Sequence, residues 1–142
     1  MNLLVVGDYT NDDPTVEKIV KERLFAVDSQ YGISKLVTFN EPGIDSIAMI
    51  WAFDEDIEFD VYDASKSQWP LNKVATPPKS FLKNMVTDYQ IDSFLFYFLE
   101  NDIPGVENDN SVHRRTIRTL FARCKKYFNT KTIFSSHKYP PK

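Results

Sequence analysis

The feature that most constrains the fold is a regular alternation of short apolar runs with segments of helical spacing. The first run, Leu3–Val6, does not alternate polar and apolar residues, which suits a strand buried in a parallel sheet. The runs lie at Leu3–Val6, Lys35–Phe39, Phe59–Tyr62, Ser93–Leu99 and Thr132–Phe134. Strands that alternate with helices predict a three-layer α/β sandwich with a mostly parallel five-stranded sheet.

The segments between these runs carry helix start and stop signals. Pro14 suits the first turn of a helix that Gly32 ends, and Gly43 opens a second helix. A third helix is predicted from Lys79 to Tyr89, and a fourth begins at the N-cap candidate Ser111. Trp51 and Cys124 lie on the apolar faces of the second and fourth helices, so we expect both in the core.

The length of 142 residues predicts one domain, over 1–135, with a flexible tail at 136–142. The stretches 64–78 and 100–110 are predicted to be loops. The start reads as a strand and not a signal peptide, and no apolar run reaches 18 residues, so we expect no membrane span. One cysteine favours the reducing cytoplasm and, with two separated histidines, argues against a metal site. No cofactor is indicated.

The charge is unevenly distributed. Nine of the 17 Lys/Arg and none of the 20 Asp/Glu lie from Ser111 onward, which leaves residues 1–110 at a net charge of −12. A basic last segment can meet an anionic ligand, or it can pack beside acidic neighbours. Both interpretations stay open.

Ligands of such sheets gather at the carboxyl ends of the strands. Three of the residues there, Gly7, Asp8 and Tyr9, follow the first strand, and Asn40 follows the second. These four are candidate ligand-binding residues. The carboxylates of Asp8, Asp63 and Glu100 also lie at predicted strand ends, but no nucleophile–base pair emerges and no catalytic residue is assigned.

The segment FNEPGIDSIA (39–48) reads as a strand, a turn and a helix start, which is the layout of a phosphate-binding loop. Gly43 can leave backbone N–H groups for an anion. Asp45 and Ser46 can contact a ribose or cap the helix. Glu41 places negative charge where a phosphate would lie, so an ordinary turn with a capped helix is the competing interpretation.

Two further groups are candidate ligand contacts. Lys83 and Asn84 can hold a phosphate and a base edge, although a solvated helix face explains Lys83 equally well. Lys73 and Lys79 lie near them in sequence. Trp69 stands in a polar loop, where it can serve as a stacking platform for a base.

The first turns of the last helix carry Arg114, Arg115 and Arg118, with His113 beside them. Arg114 and Arg118 are four residues apart and share a face. Positive charge is unfavourable at a helix N-terminus, which indicates a bound anion or an acidic neighbour, such as the loop before Ser111.

Several segments, in order, resemble short stand-alone, YspA-like members of the SLOG superfamily, which is named for the DNA-processing Smf/DprA proteins and the LOG nucleotide hydrolases. The similarity spans about residues 3–100. It is carried by LLVVGDYTND, by PGIDSIAMIWAFDEDIEFDVYDASKSQW and by LKNMVTDYQIDSFLFYF. In the last segment Lys83–Asn84 stands at the family's Arg-Asn positions and Asp92 opens the strand. The resemblance implies a Rossmann-like fold, a nucleotide-derived ligand and a bacterial or phage setting.

The chain departs from the family pattern at the phosphate loop. Phe39 and Asn40 stand near the positions of the usual Gly-Gly pair, and Asp8 or Tyr9 replaces an expected Arg. The glycine-rich pattern of the LOG hydrolases has no match. The resemblance thus implies a retained scaffold with altered phosphate chemistry.

Different functions remain open at this point. The first is non-catalytic binding of a nucleotide or nucleotide-derived ligand, to sense or sequester a nucleotide signal. The second is a protein- or DNA-interaction module on a scaffold that lost its ligand. A third is an N-glycosidic nucleotide hydrolase, which release of free base would reveal. Relatives often pair through helices, so a homodimer is expected.

Overall fold

The computed structural model describes residues 1–7, 14–39, 43–62, 79–97, 111–128 and 132–136. Strands and helices alternate along the chain. In order they are β1 (Asn2–Gly7), α1 (Pro14–Tyr31), β2 (Lys35–Thr38), α2 (Ile44–Asp54), β3 (Glu58–Val61), α3 (Lys79–Tyr89), β4 (Ser93–Tyr97), α4 (Ser111–Tyr127) and β5 (Thr132–Ser136).

All neighbouring strands pair in parallel, in the order β3-β2-β1-β4-β5. From the central strand β1, the chain adds β2 and β3 on one side. It then crosses to the other side of β1, where it adds β4 and β5. In the register, Leu3 pairs with Leu36 of β2 on one side and with Ser93 of β4 on the other. The order of strands reverses between β1 and β4, which is the topological switch point of the sheet.

The sheet separates two buried apolar clusters. Leu3, Val5 and Leu36 face one cluster, together with apolar residues of α1 and α2. The alternate residues Leu4 and Val37 face the other cluster, together with residues of α3 and α4. Because successive side chains of a strand point to opposite faces, an apolar strand can hold helices on both sides.

Local signals explain where several elements begin and end. Gly32 follows α1 with a φ of 74°, and its N–H donates to the Asp28 carbonyl at 2.8 Å. The N–H of Ile33 donates to Oδ1 of Asp28, also at 2.8 Å. A left-handed glycine at this place is a common end for a helix. Asp56 (φ 55°) and Gln90 (φ 54°) adopt left-handed conformations in the turns after α2 and α3.

The α/β class with a parallel sheet, predicted from the alternation, is confirmed. Trp51 and Cys124 are both buried, as expected. Strand β5 runs from Thr132 to Ser136, two residues beyond the predicted strand Thr132–Phe134. The predicted loops at 64–78 and 100–110 lie outside the described residues, as do residues 137–142. No helix in the described part of the chain is long and apolar enough to cross a bilayer.

Candidate functional site

The carboxyl edge of the sheet at the switch point is the candidate site. There the chain leaves β1 for α1 on one face and leaves β4 for α4 on the other, so the two connections diverge and a crevice is expected between them. The described residues that reach this edge include Gly7 on β1, Thr38 on β2, and Gly43 just before α2.

The N-terminus of α2 lies directly against the end of β1. A Cβ atom built on Gly7 would come within 2.4 Å of Cδ1 and 2.6 Å of Cβ of Ile44. Only a residue without a side chain permits this approach. Gly7 therefore holds the first turn of α2 beside the switch point, which explains by packing why a glycine ends β1.

Gly43 opens α2 in a conformation that favours glycine. Its φ is 83° and its ψ is −122°, and no side chain caps the helix at this residue. Its carbonyl accepts the first helical hydrogen bond from the N–H of Ile47 at 3.0 Å. The positive end of the helix dipole consequently faces the carboxyl edge of the sheet.

A carboxylate already occupies this positive helix end. Asp45 lies in the first turn of α2 and is 2% exposed. Both Asp45 and Ser46 have interaction partners within the protein. A carboxylate accepts hydrogen bonds and repels phosphate, so this position suits the hydroxyl groups of a sugar better than an anion. The arrangement agrees with the interpretation in which Asp45 contacts a ribose or stabilises the helix.

Thr38 adds a polar atom that the sequence analysis did not single out. The side chain is fully buried, and its Oγ1 has no hydrogen-bond partner among the described residues. It alternates with Val37 and so shares the face of Leu36, on the side of α1 and α2. A polar residue ending the apolar run KLVT was the available signal. Its hydroxyl lies at the edge where α2 begins, and buried hydroxyls normally find a partner.

An aromatic group borders the same edge on the opposite face. Tyr62, just after β3, contacts Phe39 and Phe81 edge-on, with ring centroids 5.6 Å apart in each pair. Its ring also lies 5.2 Å from that of Tyr89. Burial raises the pKa of the Tyr62 hydroxyl, and Tyr89 and Asp88 raise it further. Tyr62 is only half-buried, so part of its surface is accessible at the end of β3.

The basic candidates lie on the other face of the sheet. Lys83 and Asn84 are exposed on α3, whose neighbouring residues Phe81, Leu82 and Met85 are buried. Arg118 is exposed on α4 and has an interaction partner. A ligand that touches both Asp45 and these residues must therefore cross the edge of the sheet.

The structure does not describe all the predicted site residues. Four candidates lie outside the described residues: Asp8, Tyr9, Asn40 and Trp69. For two more, Arg114 and Arg115, only the helical backbone is described. Glu41, Lys73, Asp63 and Glu100 also lie outside. Among the described residues, no three His, Cys, Asp or Glu side chains are grouped to hold a metal ion.

No protein-family model matches the chain, and no curated protein matches it.

Proposed function

We propose that this protein binds a nucleotide or nucleotide-derived ligand, without catalysis, at the carboxyl edge of its sheet. We further propose that its fold is a divergent, five-stranded SLOG-like variant and that binding senses or sequesters a nucleotide signal. The observation that carries the proposal is the buried hydroxyl of Thr38 at the carboxyl end of β2, which has no hydrogen-bond partner among the described residues, together with the buried carboxylate of Asp45 in the first turn of α2.

The residues on the two faces of the sheet suggest which part of the ligand binds on each face. Asp45 supplies carboxylate oxygens on the α1/α2 face, which favours a ribose there. The exposed cations Lys83 and Arg118 lie on α3 and α4, which favours phosphate groups on that face. Tyr62 offers an aromatic surface for a base on the same face of the sheet. This arrangement differs from a glycine-rich phosphate-binding loop, in which the phosphates lie at the N-terminus of the helix.

Isothermal titration calorimetry against nucleosides, nucleoside monophosphates and diphosphates, ADP-ribose and inorganic phosphate tests the proposal. We expect heat for a ribonucleotide, weaker binding of its 2′-deoxy form, and none for phosphate alone. Thr38→Val should weaken binding by roughly two- to tenfold, the worth of one hydrogen bond. Thr87→Val, an exposed threonine on α3, is the matched control.

Two results would contradict ligand binding. One is absence of heat for every compound, together with native mass spectrometry that shows no co-purified nucleotide. The other is equal weakening by Thr38→Val and Thr87→Val, which would place the ligand elsewhere. Chromatography of the same mixtures reports free base, whose release would replace binding with N-glycosidic hydrolysis.

Binding to DNA is a second candidate, favoured by exposed cations on α4. Arg118, Lys125 and Lys126 are all exposed. We expect any such binding to fall steeply with salt and with the charge-removing triple variant Arg118→Gln, Lys125→Gln and Lys126→Gln. If an electrophoretic mobility assay at low salt shows no complex, this candidate is removed.

A further inference from the structure

The corner between α2 and β3 exposes large apolar side chains far from the candidate site. Helix α2 runs antiparallel to the strands, so its end at Asp54 and the start of β3 at Glu58 lie at the amino edge of the sheet. Three side chains are exposed there: Ile50 by 53%, Phe53 by 70% and Phe59 by 38%. Burying such side chains against a partner is favourable, and monomers rarely expose them in groups.

These side chains lie on one face of the molecule. Ile50 and Phe53 are three residues apart on the outer side of α2, whose inner side carries Ile47, Ala48 and Trp51 into the core. Phe59 pairs with Leu36, which faces the same cluster, so its ring lies on the side of α2. Phe53 and Phe59 border an open depression of about 620 Å³, which is also lined by Asp54, Asp56, Ile57 and Glu58.

The surroundings of the depression are strongly acidic. The segment Gly43–Tyr62 contains six Asp/Glu residues and no Lys or Arg. Five of these residues are exposed between positions 54 and 60. The neighbouring cation Lys21 of α1 is bound to Glu17 at 2.7 Å. That hydrogen bond raises the pKa of Lys21, and Asp54 adds a smaller effect.

A second copy of this chain fits the surface poorly. Strand β3 is at the edge of the sheet, and Glu58 and Asp60 point to the face opposite Phe59. Two such edges paired around a twofold axis would bring these carboxylates against each other, a known means of preventing edge-to-edge association. Twofold packing of the α2 faces would likewise oppose two acidic rims.

We propose that the acid-rimmed patch, formed by Ile50, Phe53 and Phe59 with Asp54 and Asp56, binds a basic amphipathic segment of a partner protein. Apolar side chains of that segment cover the aromatic rings, and its Lys/Arg residues meet the surrounding carboxylates. The patch lies at the amino edge of the sheet and the candidate ligand site at the carboxyl edge. The two can therefore be occupied at the same time.

Fluorescence anisotropy with two labelled amphipathic peptides tests this inference. The peptides share the same apolar residues and carry either Lys/Arg or Glu/Asp at the remaining positions. We expect the cationic peptide to bind and the anionic peptide not to bind, with affinity falling as salt is raised. Phe53→Ser and Asp54→Lys should each weaken binding by about tenfold, as expected for an anchor residue and a desolvated charge.

Asp88→Lys is the matched control, because Asp88 is exposed on α3, on the opposite face of the sheet. It makes the same charge change as Asp54→Lys and should leave binding unchanged. Phe53 is so exposed that Phe53→Ser should retain the wild-type thermal unfolding curve, which is checked by circular dichroism.

Three results would overturn the proposal. The first is that neither peptide binds or both bind equally. The second is that Asp88→Lys weakens binding as much as Asp54→Lys, which would show a general charge effect. The third is concentration-dependent self-association in sedimentation experiments that Phe53→Ser abolishes, which would assign the patch to a second copy.

Discussion

Gly7 and Ile44 lie so close that no side chain fits between them: a Cβ atom on Gly7 would be 2.4 Å from Cδ1 of Ile44. This contact joins the end of β1 to the first turn of α2. It fixes the position of Gly43 and Asp45 relative to the switch point, and with them the acceptor side of the candidate site.

Gly7→Ala should destabilise the fold by about 2–3 kcal/mol, because the new methyl group overlaps Ile44 and α2 must shift. Urea unfolding measures this change. Adding Ile44→Ala should not restore stability, since Cβ of residue 44 alone would remain 2.6 Å from the new atom.

Gly32→Ala is the comparison variant. A Cβ on Gly32 meets nothing within 4 Å, but the φ of 74° disfavours a side chain, so we expect a loss of about 1–2 kcal/mol. A loss at Gly7→Ala smaller than that at Gly32→Ala would contradict the predicted overlap with Ile44.

Thr38→Val should raise the stability of the ligand-free protein by up to about 1 kcal/mol. The substitution preserves shape and removes a buried hydroxyl that has no partner among the described residues. Thr38→Ser keeps the hydroxyl, loses a methyl group and should destabilise. Thermal unfolding of both variants checks the prediction. Destabilisation by Thr38→Val would mean that the hydroxyl is bonded to a residue outside the described part.

Asp92, the residue before β4, is hydrogen-bonded to Asn2, the first residue of β1. Its Oδ2 accepts from the N–H of Asn2 at 2.9 Å, while its own N–H donates to the Asn2 carbonyl at 3.0 Å. Asp92→Ala should cost about 0.5–1.5 kcal/mol, the worth of one hydrogen bond. Asp92→Asn retains an oxygen acceptor and should cost less. Urea unfolding measures both losses of stability. Equal losses for Asp92→Ala and Asp92→Asn would contradict a role for the hydrogen bond.

Cys124 should be unreactive in the folded protein. It is fully buried, and burial raises the pKa of its thiol from the ordinary 9.0 to about 12. A thiol reagent at pH 8 should therefore label Cys124 only after unfolding. Rapid labelling of the native protein would contradict this prediction.

The raised pKa of the Cys124 thiol makes the free energy of unfolding depend on pH. Between pH 9 and about 12 the unfolded chain loses the thiol proton while the folded chain keeps it. Stability from this group is complete below pH 9 and declines as the pH rises, by at most about 1.4 kcal/mol per pH unit. The difference between wild type and Cys124→Ala in urea unfolding at pH 8 and pH 10 isolates the effect. An unchanged difference would contradict it.

The candidate site was only partly predictable from sequence. Gly43 and Asp45 were singled out because a turn glycine and a first-turn carboxylate follow local rules of helix initiation. Thr38 is not predictable in this way, because its burial depends on β1 and β3 lying on either side of β2 and on α2 covering one face. The acid-rimmed patch was missed for a related reason, since Phe53 and Phe59 come together only when β3 pairs with β2.

The sequence by itself determined the order and approximate limits of the strands and helices, and which side chains enter the core. These properties follow from periodicity, glycine and proline, which act over a few residues. Tertiary structure decided which strands are neighbours. The register of Leu4 with Phe94, 90 positions apart in the chain, places β4 beside β1 and creates the switch point. Such pairing depends on long-range burial and the handedness of crossovers, which no local pattern contains.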